Sequence, residues 1–368
     1  MLRENLNLNK TDDFEWAERC EFWSDWRPKS PGRRKKYRFR EPLILCGHGI
    51  RISVHRNTLL IRPGRTHYPQ KIEEIRFFPG DPNLPDRIII LDASGGITLD
   101  ALAWMSNQKI NLIQLNWRGE VVFCGNSGFS ANPRLVLRQS EIQDTEKARQ
   151  INRLIICKKL TASIETLRTG FEATEATAKA ILRILQLYGK LANPKARWSY
   201  RTILGYEGAA AAIYYSTWHD LPLKWSNLST RPIPNSWKQI GSRQMIWRKD
   251  ANYARHPLNA MLNYGYALLI SALHTEIVMA GLDPSIGIAH RRHTNPIPLV
   301  YDLMEPLRPV VDKNVLQFAM SSTFTPGDFT ITQAGGCRLN PQVAKAVAGS
   351  IGNVGATGVI TAVIQALA

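Results

Sequence analysis

No apolar stretch in this sequence runs long enough to cross a bilayer unbroken. The richest window, LNAMLNYGYALLISALHTEIVMAG at 258–281, is interrupted by Asn259, Asn263, His274 and Glu276, so it reads as a buried helix and not as a membrane span. Paired cysteines are missing too. Cys20, Cys46, Cys124, Cys157 and Cys337 are odd in number and scattered, with no C-x-x-C to form a zinc knuckle or a redox couple. Together with a start, MLRENLNLNKTDDFEW, that lacks the apolar core of a secretory signal, this predicts a protein of the reducing cytoplasm. Repeats of solenoid length are absent as well.

Acidic residues are also in short supply. Against 47 Lys and Arg stand 30 Asp and Glu, a net charge of +17 over 368 residues, which points to a polyanionic partner because phosphates are what a basic surface neutralises. The hydrophobic share of 44% is ordinary and allows a sizeable core, and the length suits two domains.

Patterning divides the chain. Residues 1–41 form a basic N-terminal extension in which RPKSPGRRKKYRFR holds eight Lys or Arg among fourteen residues; it reads either as a solvated, mobile tail or as a nucleic-acid arm. Residues 42–123 carry strand signals: IRISVHRNTLLIRP alternates around an Arg-Asn turn, RIIIL and INLIQL are short apolar runs, and Gly95-Gly96 and Gly119 read as punctuation. One short helix is predicted between the last two runs, with Thr98 as its N-cap. CGNSGFSANP, 124–133, has linker composition. From 134 to 368 the period changes to 3.6, with Ile142, Ile151, Leu154, Ile155, Ile164 and Leu167 on the expected stripe of one long helix. The fold class is therefore α+β, a small β-rich N-terminal domain linked to a larger all-α C-terminal domain.

Three stretches can carry chemistry. GIAHRRHTNPIPLVYDLMEP, 287–306, places His290, His293, Asp302 and Glu305 close together. On a helix, Asp302 and Glu305 share a face and repel unless a cation lies between them, yet D-x-x-E is equally a capping box with Asp302 as N-cap. Imidazole with carboxylate is a donor set suited to magnesium or manganese. In ILGYEGAAAAIYY, 203–215, Glu207 opens an alanine-rich run, where a helix-start carboxylate would ordinarily serve the macrodipole. NSWKQIGSRQMIWRKDANYARH, 235–256, interleaves Lys238, Arg243, Arg248, Lys249 and Arg255 with Trp237, Trp247 and Tyr253, as a basic loop with core-anchoring rings or as a contact for phosphates and unpaired bases.

GYEGAAA around Glu207, HPLNAMLNYGYALL at 256–269, GLDPSIGIAH ending at His290, LVYDLMEPLRPVVD at 299–312 and FTPGDFTITQAGGCRLN at 324–340, in that order, resemble the catalytic subunit of the CRISPR adaptation machinery, the Cas-one family. The β segment IIILDASGGITLDALAWMSNQKINLIQLNWRGEVV fits it too. The resemblance implies a β-rich dimerisation domain joined to a helical catalytic domain. It implies a DNA endonuclease and integrase that inserts short fragments into a CRISPR array by attack of a 3′-hydroxyl on a phosphodiester. Implied partners are double-stranded DNA with free 3′ ends, CRISPR repeat DNA, a second copy in a homodimer and the Cas-two subunit, with no membrane. The resemblance implies that Glu207, His290 and Glu305 correspond to the family's metal-binding triad for Mg²⁺ or Mn²⁺, with Asp302 as assistant and Asn259 in a supporting role; His293 has no counterpart in it. Arg243, Trp247, Arg248, Lys249 and Arg255 are DNA-contact candidates from charge and location. A transposon-borne integrase with the same catalytic domain, or a DNA-binding scaffold without activity, remains the alternative.

Overall fold

The computed structural model describes residues 18–23, 42–66, 72–118, 120–125, 131–193, 198–218, 221–229, 231–238, 240, 254–290, 297–333, 335–351 and 357–367. They fall into two compact units, one from Met1–Trp117, Val122–Ser127 and Leu339–Gly352, the other from Arg118–Val121, Gly128–Arg338 and Asn353–Ala368. As expected, the first centres on a β-sheet and the second is helical.

After a helical stretch at 18–23 (α1), the first unit builds a mixed sheet in the order β3-β2-β1-β4-β5-β6 from β1 (Leu43–His55), β2 (Thr58–Arg62), β3 (Ile75–Phe77), β4 (Arg87–Ile97), β5 (Asn111–Leu115) and β6 (Val121–Gly125). The predicted Arg-Asn turn joins β1 to β2, with Arg56 and Asn57 at φ +48° and +60°. That left-handed pair matches the twist of a two-residue hairpin. β4 runs parallel to β1 and β5, which requires a crossover, and α2 (Leu99–Asn107) supplies the one from β4 to β5. Thr98 caps α2 as predicted, its hydroxyl accepting from Ala101 N at 3.2 Å. Leu45, Ile50, Ile52, Leu59, Ile61 and Ile88 make the core with Ala101, Trp104 and Met105 of α2. Gly95 and Gly96 do not end a strand; they pair with Ile50 and Arg51 inside β4. A Cβ at Gly95 would lie 2.0 Å from Ile50 O, so the close approach of these strands demands glycine. Pro341–Ile351 (α10) belongs to this unit rather than to the helical one. It lays Val343, Ala344 and Val347 against the sheet, and Gln342 Nε2 donates to Thr66 Oγ1 at 2.8 Å.

The second unit holds α3 (Pro133–Glu141), α4 (Glu146–Gly170), α5 (Glu175–Leu191), α6 (Tyr200–Ser216), α7 (Pro257–Met279), α8 (Pro298–Met304), α9 (Arg308–Ser321) and α11 (Thr357–Leu367). The single long helix expected after the linker is broken. Asp144 turns to φ +64°, and Thr145 caps a new helix through Ala148 N at 3.3 Å. Because α4 packs against α5, α6 and α9 together, its buried residues do not form one stripe: Ile151, Ile155, Ile164 and Leu167 are covered while Leu154 stays 54% exposed. In α7 the four polar residues that interrupt the apolar window are only half-buried, and the apolar residues between them form core. Among the described residues, no helix is long and apolar enough to cross a membrane.

His256 caps α7. Its Nδ1 accepts from Leu258 N and its Nε2 faces Trp237 O, both at 3.2 Å, so the ring is held neutral with its proton on Nε2. Burial lowers its pKa to about 4, against the opposing pull of the Trp237 carbonyl. The unfolded chain binds this proton first, so stability is complete above pH 6.5 and is lost as pH falls towards 4, by roughly 3 kcal/mol. Guanidinium denaturation between pH 7 and 4 should show this slope in the wild type. His256→Asn, which keeps a capping oxygen, should lose it; an equal slope would separate the cap from the pH response.

Candidate active site

Three elements distant in sequence each bring one charged side chain to a common point. Lys159 stands in the middle of α4, near the buried Ile155, Ile156 and Leu160 in sequence. Glu207 lies in the interior of α6, a helix that starts at Tyr200 behind its Ser199 cap. The helix-start explanation for Glu207 is therefore excluded. Glu305 opens the 3₁₀ turn Glu305–Leu307 between α8 and α9. Lys159 Nζ pairs with Glu207 Oε1 and, at 2.5 Å, with Glu305 Oε2; Arg308 Nε lies 3.2 Å from Glu305 Oε1. Burial alone would raise the Glu305 carboxyl, but Arg308 and Lys159 outweigh it and hold the pKa below its ordinary value. Burial likewise works against the Lys159 charge, and Glu305 and Glu207 overcome it, so the ammonium titrates above its usual range.

Asp302 does not cap a helix. It sits inside α8, buried, and its carboxylate accepts from Ile288 N at 2.5 Å and from Ala289 N and His290 N at 3.1 Å. It also binds His290 Nδ1 at 2.7 Å. Backbone donors of a folded-in loop outcompete the local capping pattern because they have to be satisfied somewhere. The loop is tight: a Cβ at Gly287 would come within 2.5 Å of His290 O and 3.0 Å of Asp302 Oδ2. Gln143 Nε2 donates to Gly287 O at 3.0 Å and Tyr200 Oη to Ile288 O at 3.2 Å, tying the same loop to the α3–α4 turn and to the start of α6. The hydrogen bond to Asp302 raises the His290 pKa and outweighs burial, and the charges of Asp302, Glu305 and Glu207 add to the rise.

Beneath the pair lies a buried brace. Asp312 of α9 accepts from Tyr214 Oη of α6 at 3.1 Å and from Tyr266 Oη of α7. The Arg308 guanidinium stands 5.3 Å from the centre of the Tyr266 ring. Thr166 Oγ1 donates to Pro309 O at 2.7 Å, joining α4 to the start of α9. The helices presenting Lys159, Glu207 and Arg308 are thus cross-linked by buried polar contacts.

Of the residues named from sequence, Glu207 and Glu305 meet on one cation, and His290 and Asp302 meet each other. Asn259 stands half-buried in the first turn of α7, and Arg255 is exposed just before it. Arg243, Trp247, Arg248, Lys249, His293 and the basic run 27–40 lie outside the described residues. Sequence reading missed Lys159 and Arg308. The signal for Lys159 was a lysine three and four residues after Ile156 and Ile155 on a buried helix face; for Arg308 it was the i+3 spacing from Glu305.

Among the described residues, no three His, Cys, Asp or Glu side chains stand close enough together to hold a metal ion. The donor chemistry nonetheless fits one. Two carboxylates already face a common cationic point, and an imidazole with Nδ1 engaged by a carboxylate keeps Nε2 for a ligand, the arrangement that orients metal-binding histidines. Burial pushes the thiols of Cys46 and Cys124 up to about 11, so neither is a ready ligand.

Residues 43–352 match the family described as CRISPR associated protein Cas1. A Cas1 endonuclease of Pyrobaculum aerophilum is 27% identical over 278 residues, 71% of this chain and 82% of the relative. Another from Methanospirillum hungatei is 30% identical over 151 residues, which span only 40% of that protein. A casposase solved bound to integration product superposes with a TM-score of 0.69 at 25% identity, covering 89% of each chain.

Proposed function

The chain belongs to the Cas1 family, and from that premise we propose that it is a metal-dependent DNA endonuclease and integrase of CRISPR adaptation, joining short double-stranded fragments to a CRISPR array by attack of a 3′-hydroxyl on a phosphodiester. The observation that carries this reading is the convergence of Glu207 and Glu305, from separate elements, on the single cation Lys159. The excess of basic residues suits a nucleic-acid substrate.

Glu207, Glu305 and His290 would hold Mg²⁺ or Mn²⁺. Bound there, such an ion polarises the scissile phosphate and lowers the pKa of the attacking hydroxyl. The chain itself orients the parts. Asp302 fixes the ring of His290 through Nδ1, and Glu305 sets Oε1 beside the Arg308 charge while Oε2 meets Lys159. Asn259 supports the site in this reading. Arg243, Trp247, Arg248, Lys249 and Arg255 contact DNA. A homodimer and a Cas-two partner complete the machine. Ile97, Leu99, Val122 and Phe123 are apolar and exposed in the sheet unit, which suits a chain that buries further surface in an assembly.

The test is strand transfer of a fragment with free 3′-hydroxyl ends into a supercoiled plasmid carrying a CRISPR repeat. Joining should need Mn²⁺ or Mg²⁺, stop in chelator, and vanish when the ends are 3′-dideoxy. Binding without joining under every metal would leave only a scaffold. The similarity to the casposase favours one second reading, an integrase acting on transposon ends. Preference for such ends over the repeat plasmid would select it.

A further inference from the structure

We propose that Lys159 is the resident counter-ion of the Glu207–Glu305 pair: without metal its ammonium holds the two carboxylates face to face, and an arriving divalent cation has to displace it. The proposal rests on the reading that these carboxylates belong to a metal site.

Two carboxylates that share a largely covered site repel, and one of them protonates or swings away unless a cation lies between them. Lys159 supplies that cation to both at once, and the three side chains are only 16%, 19% and 10% exposed for Lys159, Glu207 and Glu305. Arg308 is not equivalent, because it meets the other oxygen of Glu305. With all four charges present, the two anions and two cations balance to zero. Remove Lys159 and the site carries one net negative charge before metal enters.

The residue type matters as well. A lysine is a compact point charge on a flexible stem, free to leave by rotating its own bonds, whereas the planar fork of an arginine is committed to its partner. Lys159 also comes from α4, a third element that contributes no metal-donor side chain to the cluster. It therefore spaces Glu207 and Glu305 correctly before loading, and it weakens loading because its charge is the one a metal replaces.

Mn²⁺ binding to the full-length protein without DNA, followed by the paramagnetic resonance signal of the free ion, tests this. Lys159→Met keeps the aliphatic stem and should bind Mn²⁺ at least about tenfold more tightly than wild type, while Lys159→Arg, which retains a cation, should not. Glu207→Gln should bind less tightly than wild type. In chelator, Lys159→Met should melt below wild type and should recover more on adding Mn²⁺. If Lys159→Met does not fold, Lys159→Gln carries the same expectation. A wild type whose binding is weakened by Glu207→Gln but left within twofold by neutral substitutions at Lys159 would overturn the counter-ion role and leave the metal site intact. Binding that is indifferent to Glu207→Gln would overturn the metal site, and this proposal with it.

Discussion

Strand transfer by Glu305→Gln is expected to fall more than about 100-fold, and the folded state is expected to weaken by about 2 kcal/mol at the same time. The first effect follows if Glu305 is a direct donor to the metal, since loss of an outer partner alone already costs about 10- to 100-fold. The second follows from burial and from the company the side chain keeps. Glu305 is 10% exposed and faces Lys159 on one oxygen and Arg308 on the other, so the neutral amide leaves two covered cations with too little negative charge. Glu207→Gln separates the two effects. Its carboxylate is more exposed and, among the described residues, engages Lys159 alone, and Lys159 would still have Glu305, so activity should collapse while stability changes little. Activity measured in Mn²⁺ and unfolding measured in guanidinium give both readouts. Wild-type strand transfer in Glu305→Gln would remove that residue from the triad.

What could be read from sequence was whatever depends on near neighbours. The hairpin at Arg56-Asn57, the Thr98 cap and the buried course of α7 are set by turn chemistry, local hydrogen bonding and apolar spacing, and all are present in the structure. The convergence at the site is not a local property. Lys159 meets partners 48 and 146 residues away, and its neighbours in sequence distinguish it from a surface lysine only by the buried face it occupies. Glu207 and Glu305 were reachable because motif order tied them to a family pattern, whereas the cation between them belongs to none of the quoted motifs. The capping reading of Asp302 erred for a different reason. D-x-x-E is compatible with an N-cap, but the nearest donors in space come from residues 288–290, and a tertiary hydrogen-bond demand overrode a local preference.

That same demand gives the sharpest stability prediction. Asp302→Ala should destabilise the protein by about 3–5 kcal/mol, because three backbone N–H groups and the His290 ring lose one buried acceptor at once and each orphaned group costs about 1–3 kcal/mol before relaxation. Relaxation is limited, since Gly287 already leaves no room for a Cβ and Gln143 and Tyr200 hold the loop from the other side. Asp302→Asn decides between the two accounts of this residue. At an N-cap, asparagine serves about as well as aspartate, and stability would be preserved. Here one oxygen would be replaced by an NH₂ facing donors. Either the Ile288 and Ala289 amides or the His290 amide and ring would meet another donor, and the variant should lose most of what alanine loses. Denaturation in chelator keeps metal out of the comparison. A stable Asn variant with a normal His290 ring signal by nuclear magnetic resonance would return Asp302 to the role of a cap. An unstable one, with that ring released, would show that the histidine is positioned from α8 before any ligand arrives.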